Sequence, residues 1–226
     1  MSAPPVRPGH ARTEGTPPVK PFPVPAGRGR RRESGVRPLP GPRGHVCGAR
    51  KDEALRIIAG SRKGHSIAAP KGLDTRPTSD RVREAVFNIV APFVEEADVL
   101  DLFAGSGAMG LEALSRGAAR AVFVESDPVA CRTIERNLDK LGLRGEVRCA
   151  GVLAAIANER RRFDLVFCDP PYAERDHHTL ARYLPRLLAE DGLLVFETAA
   201  KVEPELPLTK RTSRRYGAAR ITLFEP

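Results

Sequence analysis

The sequence predicts an α/β fold with a mostly parallel sheet that helices cover on both faces. Short apolar runs typical of buried strands alternate with segments of helical period through the second half of the chain. The first of these runs, Val99 to Phe103, enters a glycine cluster, and the segment after Gly107 changes to helical spacing. A strand, a glycine turn, a helix and a second strand in this order predict a ligand crevice at the carboxyl ends of the strands.

The first 53 residues are expected to form a disordered basic tail. Residues 1–50 contain ten Arg and Lys against two Glu, a net charge of +8, and 11 of the 21 prolines. Such a segment cannot bury enough apolar surface to offset the entropy lost on ordering it. Its arginine cluster at residues 28–32 suits loose contact with RNA phosphates, but it equally suits a tail that is only solvated.

Neither a targeting signal nor a metal-ligand spacing is found in the sequence. No apolar core of signal-peptide type follows the early arginines, and no apolar run reaches membrane length. The four cysteines form no C-x-x-C pair, which indicates reduced thiols rather than disulfides or metal ligands. We therefore expect a cytoplasmic protein that has no membrane segment and binds no metal.

A β-hairpin and a helix are expected in residues 54–94. The hairpin turn carries Arg62 and Lys63, and residues 56–83 hold seven basic and two acidic side chains. Thr78 is one of the residues that can cap the helix. The predicted hairpin strands are 56–60 and 65–68.

The remaining residues, 95–226, are expected to form a single domain around the crevice. Residues 207–226 carry five basic side chains and one acidic, so positive charge gathers at both ends of the folded part. If both ends lie on one face of the crevice, they form a phosphate-binding rim.

The predicted helices are 128–141, 152–159 and 180–188; the later strands are 121–124, 145–149, 163–168, 193–196 after a turn at Asp191-Gly192, and an antiparallel pair at 209–216 and 219–224.

The stretch from Asp98 to Asp127 carries the strongest chemical signal. Gly105 and Gly107 permit a tight turn and a close approach of a ligand to the backbone, and the free N–H groups of the following helix face that ligand. Glu125 stands at the tip of the next strand, where its two oxygens can accept both hydroxyls of a ribose. The pattern therefore predicts a nucleotide-like cofactor.

Two classes of cofactor fit this pattern. Gly105, Gly107 and Gly110 spell G-x-G-x-x-G, and Glu125 follows the first glycine by 20 positions, which suits a dinucleotide. Asp101 would repel a pyrophosphate but can attract the ammonium of a methionine moiety. The motif therefore favours S-adenosylmethionine over NAD, with a glycine turn that serves only packing as the remaining alternative.

A second motif, DPPY at Asp169 to Tyr172, follows a predicted strand. Two consecutive prolines cannot continue the strand ladder and fix a rigid loop. The Asp169 carboxylate and the Pro170 carbonyl can accept hydrogen bonds from an exocyclic amino group, while the Tyr172 ring can stack on a base. Two such acceptors can aim the nitrogen lone pair at a methyl donor, so we expect direct transfer to nitrogen. A rigid proline turn without a chemical role is the alternative.

Four segments carry a family resemblance: RIIAGSRKGHSIAAP, TRPTSDRVREAVFNIV, VLDLFAGSGAMGLEALSRGA and DPPY. Together they resemble the RsmD family, the bacterial enzymes that methylate the N2 amino group of one guanine in 16S ribosomal RNA. The likeness runs from Arg56 to the C-terminus, and TRPTSDRVRE is its most specific part. It implies a Rossmann-like class I S-adenosylmethionine-dependent methyltransferase with a seven-stranded sheet whose last strand is antiparallel. It also implies that the hairpin and helix of residues 54–94 help to grip RNA.

The resemblance also implies residue roles. Asp101, Gly105 and Gly107 are expected to hold the methionine part of the cofactor, and Glu125 the ribose. The target guanine is assigned to the catalytic set Asp169, Pro170, Pro171 and Tyr172. The full set expected to bind the cofactor is Asp101, Phe103, Ala104, Gly105, Ser106, Gly107, Glu125, Ser126, Gly151, Val152 and Asp169. The residues expected to contact RNA are Arg62, Lys63, Arg76, Thr78, Arg81 and Arg83.

One site departs from the usual methyltransferase pattern. After the third strand, where many methyltransferases place an acidic or amide side chain, this chain has Gly151 and Val152. Adenine recognition is therefore expected to rest more on backbone and apolar contacts, or on a neighbouring residue that the sequence pattern does not identify.

The implied partner is 16S ribosomal RNA within a partly assembled small subunit, bound by a monomer. Three other functions remain open at this point: amino-directed methylation of DNA adenine or protein glutamine, a nicotinamide enzyme, and a non-catalytic factor that binds ribosomal RNA.

Overall fold

The computed structural model describes residues 55–70, 77–171 and 177–226, apart from the side chains of 77–79 and 177–178. The predicted tail lies outside the described residues, as do Arg76 and Tyr172. Thr78 is described only as backbone within a helix. None of the described helices has the length and apolar character that a membrane span requires.

A seven-stranded sheet forms the centre of the molecule, in the order β3-β2-β1-β4-β5-β7-β6. All neighbours pair in parallel except β7, which is antiparallel to both β5 and β6. The expected fold class, a Rossmann-like sheet of seven strands with one antiparallel member, is confirmed. The strands are β1 Asp98–Leu102, β2 Arg120–Glu125, β3 Glu146–Cys149, β4 Phe163–Cys168, β5 Leu188–Ala199, β6 Thr209–Tyr216 and β7 Ala219–Glu225.

In the described residues, one helix precedes the first strand and four helices connect later strands, and α3 shows how local sequence sets the bounds of a helix. The Asp127 carboxylate caps α3 by accepting a hydrogen bond from the Val129 N–H at 2.9 Å, and Pro128 occupies the first turn. Gly142 ends the helix in the left-handed conformation, at φ 60°. The helices are α1 Pro77–Val90, α2 Ala108–Ser115, α3 Pro128–Leu141, α4 Val152–Ala157 and α5 His177–Leu187, with one 3-10 turn at Ala91–Phe93.

The sheet separates two apolar clusters. On the first face, α1, α2, α3 and the N-terminal hairpin pack against strand residues such as Val99 and Phe167. On the second face, α4 and α5 pack against residues such as Leu100 and Val166. Successive strand residues point to opposite faces, so the continuous apolar runs of the sequence are explained by burial on both sides.

The turn predicted at Asp191-Gly192 falls inside β5. Phe163 of β4 pairs with Leu188, but Leu165 pairs with Leu193, so β5 contains extra residues at this point. The turn signal therefore marks an irregularity near the start of a long strand rather than the boundary of the strand.

The N-terminal hairpin is less regular than predicted. Its two arms share one isolated antiparallel bridge, between Arg56 and Ser66, instead of forming two strands. The N–H groups of Ile58 and Ala59 bond to the Glu112 carboxylate at 2.7 and 2.9 Å. Because α2 provides these hydrogen-bond acceptors, this arm is fastened to the domain instead of extending its own ladder.

Candidate functional site

The carboxyl edge of the sheet brings together the two motifs that the sequence separates. Leu102 of β1 pairs with Val124 of β2 on one side and with Cys168 of β4 on the other. The next residues along these two strands, Glu125 and Asp169, therefore lie at the same edge on either side of β1. Two strand spacings of about 4.8 Å place their backbones about 10 Å apart, with the glycine loop between them.

The glycine loop turns sharply at the end of β1. Phe103, Gly105 and Gly107 have positive φ angles of 60°, 54° and 78°, and the Gly107 N–H bonds to the Ala104 carbonyl at 2.7 Å. A positive φ at a residue with a bulky side chain costs on the order of 1–3 kcal/mol, and such residues concentrate at functional sites. The strain at Phe103 therefore adds to the case for ligand binding at this loop.

The third glycine of the motif serves packing. A Cβ atom at Gly110 would lie 2.3 Å from the Phe123 ring, so only glycine lets α2 approach β2 this closely. Gly110 also donates its N–H to the Asp101 carboxylate at 2.9 Å. The first turn of α2 is thereby fixed above β1.

Glu125 organises the backbone around the loop. One carboxylate oxygen accepts the Gly105 N–H at 2.8 Å, and the other accepts the N–H groups of Ser126 and Asp127 at 2.7 and 2.9 Å. A carboxylate has about four acceptor positions, so one stays available on the oxygen that faces Gly105. The expected contact of both oxygens with a ribose thus competes with these backbone contacts, and Glu125 has a structural role that the sequence pattern did not indicate.

Asp101 is buried beneath the loop, with only 3% of the residue exposed. Its register neighbours are Phe123 and Phe167, which lie in the apolar cluster on the same face of the sheet. Burial, with a smaller contribution from the nearby carboxylates, raises the pKa of Asp101 to about 7, although the hydrogen bond from Gly110 lowers it. The group is therefore poised to change charge near neutral pH.

Asp169 follows β4 at the mouth of the site. The residue has surface exposed to solvent, but the protein around its carboxyl group desolvates the carboxylate and raises its pKa to about 6. Pro170 is buried and Pro171 is exposed, so the loop is anchored by the first proline. The position of Tyr172 is outside the described residues.

The site has an excess of negative charge. Asp169 and Glu125 both contribute to the raised pKa of Asp101, so the three carboxylates are electrostatically connected. Within the described ranges, no group of three or more His, Cys, Asp or Glu has the arrangement needed to hold a metal ion. A ligand that carries positive charge, as a sulfonium or an ammonium does, would complement this cluster.

The end of β3 offers space for a planar group. A Cβ atom at Gly151 would meet nothing within 4 Å, and this glycine is exposed at the start of α4. Val152 instead packs into the second-face cluster. Of the pair expected near adenine, Gly151 therefore lines open space, and Val152 belongs mainly to the core.

The residues expected to contact RNA divide into accessible and buried ones. Lys63 and Arg81 are exposed, and Arg62 is half-buried with its Nε donating to the Leu141 carbonyl. Arg83 is only 4% exposed, and its guanidinium donates to Asp80 at 2.9 Å and to a hairpin carbonyl. The expectation for Arg83 is corrected, because the α1–hairpin contact buries its charge and burial lowers its pKa.

No motif in the sequence marks Glu112, Ser115 and Asn137, which are three of the polar side chains that fasten the hairpin. Glu112 is fully buried and holds the hairpin backbone, while the Ser115 hydroxyl donates to the Ala59 carbonyl at 2.6 Å. Asn137 is also buried and bonds to the backbone of both the hairpin and the glycine loop. A signal did exist for Asn137, because helical spacing puts it on the apolar face of α3.

Comparison with known proteins gives consistent matches over the folded part of the chain. A family model described as conserved hypothetical protein 95 matches residues 55–225. Ribosomal RNA small subunit methyltransferase D of Escherichia coli K12 is 38% identical over 153 residues, which are 67% of this chain and 75% of that protein. The protein of the same name from Haemophilus influenzae is 35% identical over 162 residues, 67% of this chain and 79% of that protein.

Solved structures show the same architecture. A hypothetical protein from Thermus thermophilus has a TM-score of 0.65 at 34% identity, with 76% of this chain and 100% of that chain covered. The T. thermophilus 16S rRNA N2 G1207 methyltransferase RsmC, in complex with AdoMet and guanosine, has a TM-score of 0.53 at 21% identity, with 71% and 46% covered. At that identity the likeness shows the shared fold alone.

Proposed function

This chain belongs to the family described as conserved hypothetical protein 95, as the resemblance to the RsmD family led us to expect, and we propose that it methylates ribosomal RNA. The donor is S-adenosylmethionine, and the acceptor is the exocyclic N2 amino group of a guanine in 16S ribosomal RNA. The substrate is the RNA within a partly assembled small subunit in the cytoplasm, and the enzyme acts as a monomer.

The single observation that carries this proposal is the arrangement of the carboxyl edge. The register puts Glu125 and Asp169 on either side of the strained glycine loop. A cofactor held by the loop and by Glu125 therefore lies next to the Asp169-Pro170 acceptors. Methyl transfer needs this proximity of donor and acceptor.

The chemical character of the site fits S-adenosylmethionine. Asp101, Glu125 and Asp169 supply negative charge that a sulfonium and an ammonium would balance, and the free space at Gly151 suits an adenine ring. When bound, the cofactor supplies an electrophilic methyl group. Ser106 and Ser126 complete the proposed contact set through the backbone of the two loops.

The role of Asp169 follows from the chemistry of an aromatic amine. The lone pair of guanine N2 is delocalised into the ring, so the nitrogen is a weak nucleophile. The Asp169 carboxylate and the Pro170 carbonyl accept hydrogen bonds from the two N–H groups and thereby favour a pyramidal nitrogen. The new N–C bond would form as the methyl–sulfur bond of the donor breaks, with S-adenosylhomocysteine as the leaving group. The nitrogen then carries one proton too many, which Asp169 can accept and pass to solvent.

The test is transfer of labelled methyl by the purified protein to small ribosomal subunits from cells that lack the gene. Mass mapping of the digested RNA should place one added methyl group on guanine N2, and subunits from cells that contain the gene should accept almost none. Free 16S transcript, DNA and total protein serve as competing acceptors. Label on DNA adenine or on protein glutamine would overturn the RNA assignment, and binding without turnover would indicate a non-catalytic factor.

A further inference from the structure

We propose that Arg214 and Arg215, at the carboxyl end of β6, form a docking surface for the phosphate backbone of the RNA substrate. This inference rests on the proposed function and extends it to the far edge of the sheet. Neither arginine belongs to the glycine loop, the hairpin or the Asp169 segment.

The register places the two arginines level with the proposed catalytic loop. β4, β5, β7 and β6 are neighbours in this order, and β6 runs in the same direction as β4. Paired residues connect Cys168 of β4, through β5 and β7, to Ser213 of β6. The next row toward the carboxyl edge therefore contains Asp169, Glu197, Ile221 and Arg214, so one carboxylate of β5 lies in the row between the proposed catalytic loop and the arginine. Three strand spacings of about 4.8 Å separate the backbones of Asp169 and Arg214, a span of about 14 Å.

The cofactor and the RNA must share this edge of the sheet. Apart from Asp169, the proposed cofactor contacts lie at the ends of β1, β2 and β3, through the glycine loop, Glu125 and Gly151. The edge above β5, β7 and β6 is therefore the part left for a polynucleotide whose guanine reaches Asp169. Arg214 and Arg215 lie at the outer end of that part.

In the described part of the chain, the basic side chains at the start of β6 form ion pairs with carboxylates, whereas Arg214 near its end does not. At the start of the strand, Lys210 lies 2.6 Å from Glu203, and Arg211 pairs with Glu225. At its end, Arg214 is exposed, and no carboxylate in the described ranges pairs with it. The positive charge that is free to meet a phosphate is thus concentrated at the end nearest the active site.

Arg215 shares a single carboxylate with other cations. The Glu203 carboxyl has a lowered pKa because of Lys210 first, then Arg220, and then Arg215. Three cations therefore share one carboxylate, so Glu203 does not neutralise all of their charge. Arg214 points to the first face, since its register partner Ile221 lies in the first-face cluster. A strand of RNA across the end of β6 would therefore meet one guanidinium on each face.

A different explanation is that these charges only protect an exposed edge strand from pairing with other chains. Edge protection would affect aggregation, whereas phosphate contact would affect the salt dependence of RNA binding. The two explanations therefore give different results in one experiment.

The test compares Arg214→Gln/Arg215→Gln with Lys210→Gln/Arg211→Gln, which removes the same charge at the ion-paired end of β6. Affinity for small subunits from gene-deleted cells is measured over a range of salt concentrations. The first variant should lower the slope of log affinity against log salt by about 1.4, because each phosphate contact to a single strand contributes about 0.7. KM for RNA should rise about tenfold with little change in kcat, and affinity for S-adenosylmethionine should stay unchanged. The Lys210/Arg211 variant should keep most of the wild-type slope.

An unchanged slope in a variant that still methylates RNA would overturn the docking surface and leave the proposed function intact. Aggregation without a change in slope would do the same in favour of edge protection. A wild-type protein that transfers no methyl to RNA would instead overturn the proposed function. If the double variant does not fold, the single variants carry the test, each with an expected slope change of about 0.7; Arg214→Lys/Arg215→Lys should keep the wild-type slope.

Discussion

Asn137 and Ala68 exchange two hydrogen bonds that join α3 to the N-terminal hairpin. The Asn137 amide donates to the Ala68 carbonyl at 2.9 Å, and its oxygen accepts the Ala68 N–H at 2.8 Å. The same amide nitrogen donates to the Ser106 carbonyl at 3.1 Å. One buried side chain thus connects the hairpin, which is proposed to grip RNA, with the loop proposed to bind the cofactor.

The first prediction is that Asn137→Ala lowers both stability and cofactor affinity. The change leaves the Ala68 N–H and two carbonyls without their partner, so the free energy of unfolding should fall by about 2–4 kcal/mol. Affinity for S-adenosylmethionine should fall several-fold because Ser106 loses its support. Denaturant unfolding and calorimetry measure the two effects, with the exposed Asn158→Ala as the control. Unchanged cofactor affinity would show that the loop holds its position without Asn137.

The second prediction concerns Asp101 and the stability of the cofactor-free protein. The pKa of Asp101 is about 7 in the folded protein and near its ordinary value of 3.8 in the unfolded chain. Between these two values the unfolded chain has lost a proton that the folded protein still holds, so rising pH favours unfolding. The free energy of unfolding should therefore fall by up to about 1.4 kcal/mol per pH unit between about pH 4 and pH 7.

Asp101→Asn should remove this part of the pH dependence, because an amide does not titrate and can still accept the Gly110 N–H. Urea unfolding of both proteins at several pH values isolates the contribution as a difference. S-adenosylmethionine should bind the wild type up to about tenfold more weakly for each pH unit below 7, because binding a cation favours the ionised carboxylate. Equal pH dependence in the two proteins would contradict this assignment.

The architecture could be predicted because its signals are local. Apolar runs, helical periods and the Asp127 and Gly142 caps determine most of the element bounds, and the alternation of elements indicates a parallel sheet. The details that could not be predicted arise from contacts distant in sequence. Glu112 and Arg83 look like solvated residues of amphipathic helices, but the hairpin covers them. No local pattern shows where a separate segment will dock.

For the candidate site, the sequence likewise indicates which residues are of interest but not which contacts they make. Residue types and spacing indicate Asp101, Glu125 and Asp169 as functional, but they do not show that Glu125 also fastens three backbone N–H groups. They also do not show that Gly110 is needed for packing against Phe123, whereas Gly151 borders the open space proposed for adenine. Those distinctions depend on the distance from a glycine to atoms of other elements.

The third prediction separates the two roles of Glu125. Glu125→Ala removes both the proposed ribose contact and the anchors of the Gly105, Ser126 and Asp127 N–H groups, so it should weaken S-adenosylmethionine binding about 10- to 100-fold and lower the melting temperature. Glu125→Gln keeps one acceptor oxygen and should fall between alanine and the wild type in both measurements. Calorimetry that shows no loss of affinity for the alanine variant would move the ribose contact to another residue.

The fourth prediction compares two glycines that the structure assigns to different roles. Gly110→Ala would put a methyl group 2.3 Å from the Phe123 ring and should destabilise the fold by about 1–3 kcal/mol. Gly151→Ala adds a methyl group to open space with a backbone conformation that alanine adopts, so stability should be unchanged. If adenine occupies that space, the Gly151 variant should nevertheless bind S-adenosylmethionine more weakly. Full affinity would place the adenine elsewhere.

The fifth prediction is that methyl transfer depends on Asp169 as a hydrogen-bond acceptor. Asp169→Ala should lower kcat for RNA about 100-fold or more, because one of two acceptors for the amino group is lost, and should leave S-adenosylmethionine affinity within about threefold. Asp169→Asn keeps a carbonyl oxygen at nearly the same place, so it should retain much more activity than the alanine variant. The asparagine variant can still accept a hydrogen bond but cannot take up a proton, and the alanine variant can do neither. Comparing the two variants therefore separates these two roles of Asp169.

The pH profile provides a second readout of the same residue. A protonated Asp169 would donate a hydrogen bond instead of accepting one, so wild-type kcat should rise with pH through the pKa of about 6 and then level off. The asparagine variant has no ionisable group there and should lack that rise. A structural defect alone would lower the activity of the asparagine variant at every pH without changing the shape of the pH profile. If the wild type and the asparagine variant show the same rise with pH, the titrating group is not Asp169. Asp169 would then position the guanine without accepting its proton.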